Sequence, residues 1–153
     1  MEWGYINGSV YFKDGSLRDI YVFNTTVEDW EKWIRFVNDN YPIAFYDRRD
    51  SSEYSKIDFI KVSECWNGEN EEGVYASINV EGIKIMCYFN GEDEIENDFT
   101  PSDVKNVTDH NNLMQYLTNV SKALNKPVLV TKEMQEDEVL ISFFEGNVTY
   151  SNV

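Results

Sequence analysis

Basic residues are scarce in this chain of 153 residues: 13 Lys plus Arg stand against 28 Asp plus Glu, for a formal net charge of −15. Affinity for a phosphate backbone comes from Lys and Arg displacing counterions, and no basic run occurs, so direct nucleic-acid binding is not expected. Anionic membrane surfaces are disfavoured by the same sign of charge. No apolar run approaches the roughly 20 residues that span a bilayer. The start, Met1-Glu2-Trp3-Gly4-Tyr5, lacks the basic and apolar stretches of a signal peptide, so a cytoplasmic location is expected. Histidine occurs once, as His110, which removes metal sites built on several imidazoles and leaves acid–base work to shifted carboxylates. Cys65 and Cys87 are the only cysteines, and in a reducing compartment both are expected as thiols. Gly-x-Ser-x-Gly, phosphate-cradling glycine loops and Cys-x-x-Cys pairs are absent. The acidic runs 69–72 and 93–98 do not follow the spacing of a calcium loop. Neither a cofactor nor a metal is therefore expected.

Apolar and aromatic residues are plentiful, at 42% and 15% of the chain, far from the composition of a disordered segment. The length suits one domain, residues 1–153, with one core. Asn7-Gly8 and Asp14-Gly15 separate apolar runs at 3–6, 10–12 and 17–23, which predicts an opening three-stranded meander. Thr26 caps a predicted helix with apolar positions Val27, Trp30, Trp33, Ile34, Val37 and Tyr41, ended by Pro42. Residues 47–56 read as a loop, 57–62 as a strand and 66–73 as an acidic loop. Residues 74–80, 83–89 and 92–99 form a second predicted meander, with turns at Glu81-Gly82 and Asn90-Gly91. A second helix at about 109–124 carries Leu113, Tyr116, Leu117, Val120 and Leu124 on one stripe, with His110 near its start, as an exposed or helix-start residue. Short strands follow at 128–131, 139–144 and 148–151. The pattern is α+β: an antiparallel sheet, or two, built from meanders with two amphipathic helices on one face.

Glu92, Glu94, Glu96 and Asp98 alternate along a predicted strand and so share a face, with Ile95 and Phe99 pointing the other way. Such a row is read either as a solvated face or protected sheet edge, or as a surface that engages a basic partner. Glu69, Glu71 and Glu72 form a second acidic patch beside Trp66, a candidate aromatic anchor. Trp66 also suits a packed core position. Tyr75 and Tyr88 fall on the strand face opposite the core series.

The run Asp14-Gly15-Ser16-Leu17-Arg18-Asp19-Ile20-Tyr21-Val22, the helix around Asp29-Trp30, and the ending Val128-Leu129-Val130-Thr131 with 136–141 resemble small bacterial proteins of the polymorphic-toxin immunity kind. The resemblance covers about the first forty and last thirty residues and brings no functional residues with it. It implies a cytoplasmic, non-catalytic α+β protein that binds and neutralises a cognate toxin, often a basic nuclease. Two alternatives stay open: a ligand- or peptide-binding module using exposed aromatics, and an enzyme built on two carboxylates from distant segments.

Overall fold

The computed structural model describes residues 2–151. Its helices are α1 (Trp3–Ser9), α2 (Val27–Asn40), α3 (Phe59–Trp66) and α4 (Val107–Leu124), with a single 3-10 turn at Pro101–Asp103. The strands are β1 (Arg18–Phe23), β2 (Ile43–Asp47), β3 (Ser52–Tyr54), β4 (Val74–Val80), β5 (Ile83–Cys87), β6 (Glu94–Phe99), β7 (Val128–Lys132), β8 (Gln135–Phe144) and β9 (Asn147–Tyr150). All nine join one sheet in the order β3-β2-β4-β5-β6-β1-β7-β8-β9. Every pairing is antiparallel. The α+β class and the helix-backed sheet expected from the sequence are both present.

Local chemistry explains the elements that periodicity identified. The Thr26 side chain accepts the Asp29 amide while the Asp29 carboxylate accepts the Thr26 amide, a reciprocal cap that opens α2. The Asn106 side chain caps α4 by accepting the Asp109 amide, and Asn125 ends it in the left-handed region at φ 52°. Glu81 and Gly82 both have positive φ between β4 and β5, the requirement of the tightest hairpin turn.

The opening meander is not formed. Residues 3–9 are helical, Asn7 and Gly8 lie inside α1, and only residues 18–23 form a strand. Both edges of β1 are already occupied, by β6 and β7 from far along the chain, so no place remains for a local hairpin partner. Arg18 fixes the alternative path: its buried guanidinium donates to the carbonyls of Val10, Phe12 and Leu17. The strand expected at 57–62 is also replaced, by α3, where the Asp58 side chain caps the Ile60 amide. Within the expected 47–56 loop the chain makes the short strand β3.

All four helices contribute to one apolar cluster with one face of the sheet: Ile6 from α1, Trp30 and Trp33 from α2, Val62 from α3 and Leu113 from α4 meet Ile20, Val22, Ile78, Ile85 and Ile95. Trp30 and Trp33 are 1% exposed, and burial of this kind makes truncation of either to Ala cost about 3–5 kcal/mol. Among the described residues, no helix packs on the opposite face of the central strands, which carries the alternates of β1, β4, β5 and β6; those of β1, Asp19 and Tyr21, are nonetheless 3% exposed.

Candidate functional site: the uncovered face of the sheet

The acidic row is real but sits at the middle of the sheet. β6 lies between β5 and β1, so edge protection does not explain its charges. Glu94, Glu96 and Asp98 alternate with buried Ile95, Asn97 and Phe99. Glu92 does not belong to the row. The strand begins at Glu94, and the carbonyl of Glu92 is held on the helix side by the Thr25 hydroxyl at 2.7 Å and the Trp30 indole N–H at 3.0 Å.

Register supplies neighbours that the sequence did not group with the row. Asp19 stands opposite Asp98, Tyr21 opposite Glu96 and Phe23 opposite Glu94. Tyr21 and Phe23 stack with ring centroids 5.0 Å apart. Asp19 is 3% exposed and accepts the Met134 amide at 2.8 Å and the Tyr21 hydroxyl at 3.3 Å. Among the described residues, none of Asp19, Glu94, Glu96 and Asp98 makes an ion pair. One carboxylate oxygen of Glu94 is sealed from solvent with no hydrogen-bond partner.

These carboxyls hold their protons more tightly than usual. Partial burial, then repulsion by Asp19 and Glu133, pushes Asp98 up to about 6. Burial followed by the charges of Asp19, Glu94, Asp98 and Glu136 raises Glu96. Glu94 is raised by burial and by Glu136 and Asp93. Asp19 is raised mainly by burial, against the lowering effect of its two hydrogen bonds. Like charges opposite one another on neighbouring strands are destabilising, so the face carries electrostatic strain that a cation from outside would relieve.

Beside this row the sheet opens into a cleft. From Thr131 to Lys132, β7 advances one residue while β8 runs back from Val139 to Gln135, leaving Glu136, Asp137 and Glu138 without opposite numbers. This irregular stretch borders a cleft of about 560 Å³ lined by Tyr21, Asn90, Glu96, Met134, Gln135, Glu136 and Asp137. Bulges recur where a strand re-aims side chains beside a functional surface.

Farther across the same face, Tyr46, Tyr75 and Tyr88 form a stacked ladder with centroid spacings of 4.8 and 6.2 Å. The Arg48 guanidinium lies 4.8 Å over the Tyr75 ring. Tyr88 is exposed. On the helix side of this end, buried Asp47 accepts a fork of hydrogen bonds from Arg49 and further ones from Lys61 and Asn70. Arg49 holds its carboxyl well below the usual carboxylate range.

Trp66 and the 69–72 patch are elsewhere. Trp66 packs edge-on against Trp30 at 5.2 Å and donates its indole N–H to the Phe89 carbonyl at 2.9 Å, as a core-lining residue on the helix side. Glu69, Glu71 and Glu72 are exposed on the α3–β4 connection, which is braced by buried Asn70. That connection leads into β4, which β5 separates from β6. The two acidic patches are therefore not one site.

His110 lies in the first turn of α4, as expected, but is 2% accessible rather than exposed. Its Nδ1 lies 2.6 Å from the Tyr11 hydroxyl and its Nε2 2.8 Å from that of Tyr150. Burial lowers its pKa to about 4. Among the described residues, no group of three or more His, Cys, Asp or Glu is placed to hold a metal ion, and no helix is long and apolar enough to cross a membrane. No protein-family model, curated protein or solved structure matches the chain.

Proposed function

We propose that this protein is a non-catalytic inhibitory binding protein of the bacterial immunity type, which holds a cognate basic toxin on the uncovered face of its sheet in the cytoplasm. The observation that carries this reading is the facing pair Asp19 and Asp98, extended by Glu94 and Glu96, with no ion-pair partner among the described residues. Charges arranged in this way repel one another in the free protein and gain most when a cationic surface closes over them. The net charge of −15 steers a basic partner toward the molecule, while the Tyr46–Tyr75–Tyr88 ladder supplies aromatic anchors of the kind that dominate interface energetics. The nine-stranded sheet backed by helices presents the face as a preformed surface, which lowers the ordering cost of association.

Co-expression with the toxin-like product of an adjacent gene tests the reading. Restored growth and a stable complex, both weakened by Asp98→Lys, are expected. Absence of rescue and of a complex would remove the toxin-binding assignment.

The tyrosine ladder with Arg48 favours a second reading, a module that binds a peptide or saccharide by stacking. It predicts fluorescence changes with such ligands that are insensitive to salt. The carboxylate-enzyme alternative has weaker support: of the four carboxyls with raised pKa, only Glu96 lines the cleft.

A further inference from the structure

We infer that the free edge of β9 pairs with the same edge of a second copy of this chain, joining the two sheets across a two-fold axis at Thr149. The contact uses an edge of the sheet and leaves the uncovered face open.

The two ends of the sheet are built differently. β3 forms one end and carries Glu53 at its centre, with Asp50 just before it and Lys56 just after. Charge on an edge strand keeps it from pairing with another chain. β9 forms the other end and lacks that safeguard: Asn147–Tyr150 contains no charged residue and no proline, and its register with β8 has no bulge. Across residues 139–151 Glu145 is the only charge, although 27% of the chain is charged.

Backbone geometry sets the register of the contact. The Ser151 amide donates to the Leu140 carbonyl, while Tyr150, Thr149 and Val148 stand opposite Ile141, Ser142 and Phe143. Bonded and non-bonded pairs alternate along an antiparallel ladder. Thr149 therefore turns its amide and carbonyl toward β8, whereas Val148 and Tyr150 turn theirs outward. A second β9 running antiparallel, with Thr149 opposite Thr149, sets Val148 against Tyr150 of the second copy and satisfies the outward groups of both chains. The side chains fit the same register. Val148, 37% exposed, gains an aromatic neighbour on the helix side, and the two Thr149 side chains meet on the uncovered side.

Charge decides for a second copy at this edge and against it elsewhere. Glu145 lies four residues from the axis, so its two copies stand about 27 Å apart along the strands, several screening lengths in physiological salt. Glu138, near the other end of the β8–β9 hairpin, is paired with Lys132 at 4.0 Å. The net charge of −15 on each chain still opposes association, so added salt strengthens the contact, the reverse of its effect on a complex with a basic protein. Paired residues on neighbouring strands share a face, so both uncovered faces look the same way and the dimer presents two of them side by side.

Sedimentation equilibrium of the full chain from about 5 to about 500 µM tests the inference, a range suited to a contact smaller than a standard interface. The mass should rise from one chain toward two, at lower concentration when salt is raised. Val148→Pro removes an outward amide while sparing the bonds to β8, and Thr149→Lys sets two ammonium groups face to face at the axis. Each should weaken association at least ten-fold while the circular dichroism stays that of the wild type. Amide exchange of the wild type gives a reading that needs no variant to fold: the Val148 and Tyr150 amides should be protected at high concentration and exchange freely at low. A single-chain mass throughout, a dimer that survives both substitutions, or exchange at Val148 and Tyr150 that ignores concentration would overturn the inference.

Discussion

Asp19 and Asp98 face each other across the ladder between β1 and β6, two carboxylates in direct register on neighbouring strands in the middle of the sheet. Burial is the largest cause of the raised pKa of each, followed for Asp98 by the charges of Asp19 and Glu133 and joined for Asp19 by that of Glu133. A folded-state pKa above the unfolded value means that ionisation costs the fold stability, and the cost is complete once pH exceeds the folded value. For Asp98 the window runs from about 4 to about 6.

Asp98→Asn should therefore stabilise the free protein at pH 7 by about 1–2 kcal/mol, the lower part of the linkage figure because the group keeps some contact with solvent. The gain should vanish near pH 3.5, where the wild-type carboxyl is protonated in both states. Urea denaturation of the two proteins at both pH values measures it. The same substitution should weaken partner binding, so stability and affinity move in opposite directions.

His110 works with the reverse sign. Its pKa is lowered to about 4 by burial, so protonation favours the unfolded chain, and stability is lost as pH falls from about 6.5 to about 4. Replacement by Gln removes the titration. The stability difference between wild type and His110→Gln should shrink by about 3 kcal/mol between pH 7 and pH 4. Separate Tyr11→Phe and Tyr150→Phe variants should each cost about 1 kcal/mol at pH 7 by removing one hydrogen bond to the ring. A pH-independent difference for His110→Gln would show that the imidazole titrates alike in the folded and unfolded chain.

Asp47→Ala should destabilise the protein by about 3 kcal/mol, because it strands Arg49, Lys61 and Asn70 around a buried vacancy. Here the folded pKa is depressed, so the contribution is present above the unfolded value near 4 and is lost as pH falls below it. Thermal melts at pH 7 and at pH 3 should show a mutational effect that is smaller at the lower pH but still present, because the folded carboxyl stays ionised there.

Charge reversal separates the acidic positions from one another. In the proposed complex, Glu94→Lys and Glu96→Lys should slow association about ten-fold at low salt, with the difference closing as ionic strength rises. Glu92→Lys should do less, since Glu92 lies outside the strand. Reversal of Glu69, Glu71 and Glu72 should have the smallest effect if the uncovered face is the docking surface. Stopped-flow association rates at two salt concentrations decide the order, and dominance by the 69–72 set would relocate the interface.

Features set by nearby residues were legible in the sequence. The stripe Trp30, Trp33, Ile34, Val37 with its Thr26 cap, the stripe of α4, and the alternation along β4, β5 and β6 each depend on spacing within one element. The failures share a cause. Residues 3–6 and 10–12 look like strands locally, but the neighbours of β1 come from residues 94–99 and 128–132, and that competition is invisible in a short window. The same non-local register hid Asp19 and Tyr21 as companions of the acidic row. One signal was available: a lone Asp19 alternating with Tyr21 and Phe23, against Ile20 and Val22, marks a strand with two differently clothed faces. Nothing near His110 could have announced tyrosines 99 and 40 positions away.

The place of β1 in the strand order also governs how the chain can be assembled. The first strand in sequence is sixth in the sheet, between partners that are the sixth and seventh to be synthesised. A growing chain therefore holds an apolar strand with neither neighbour until residues 94–99 emerge, and with only one until residue 132. Such long-range closure is slow compared with local hairpins. The molecule cannot be cut at the 66–74 connection into two halves that each complete a sheet, because the strand at its centre belongs to one fragment and both its neighbours to the other.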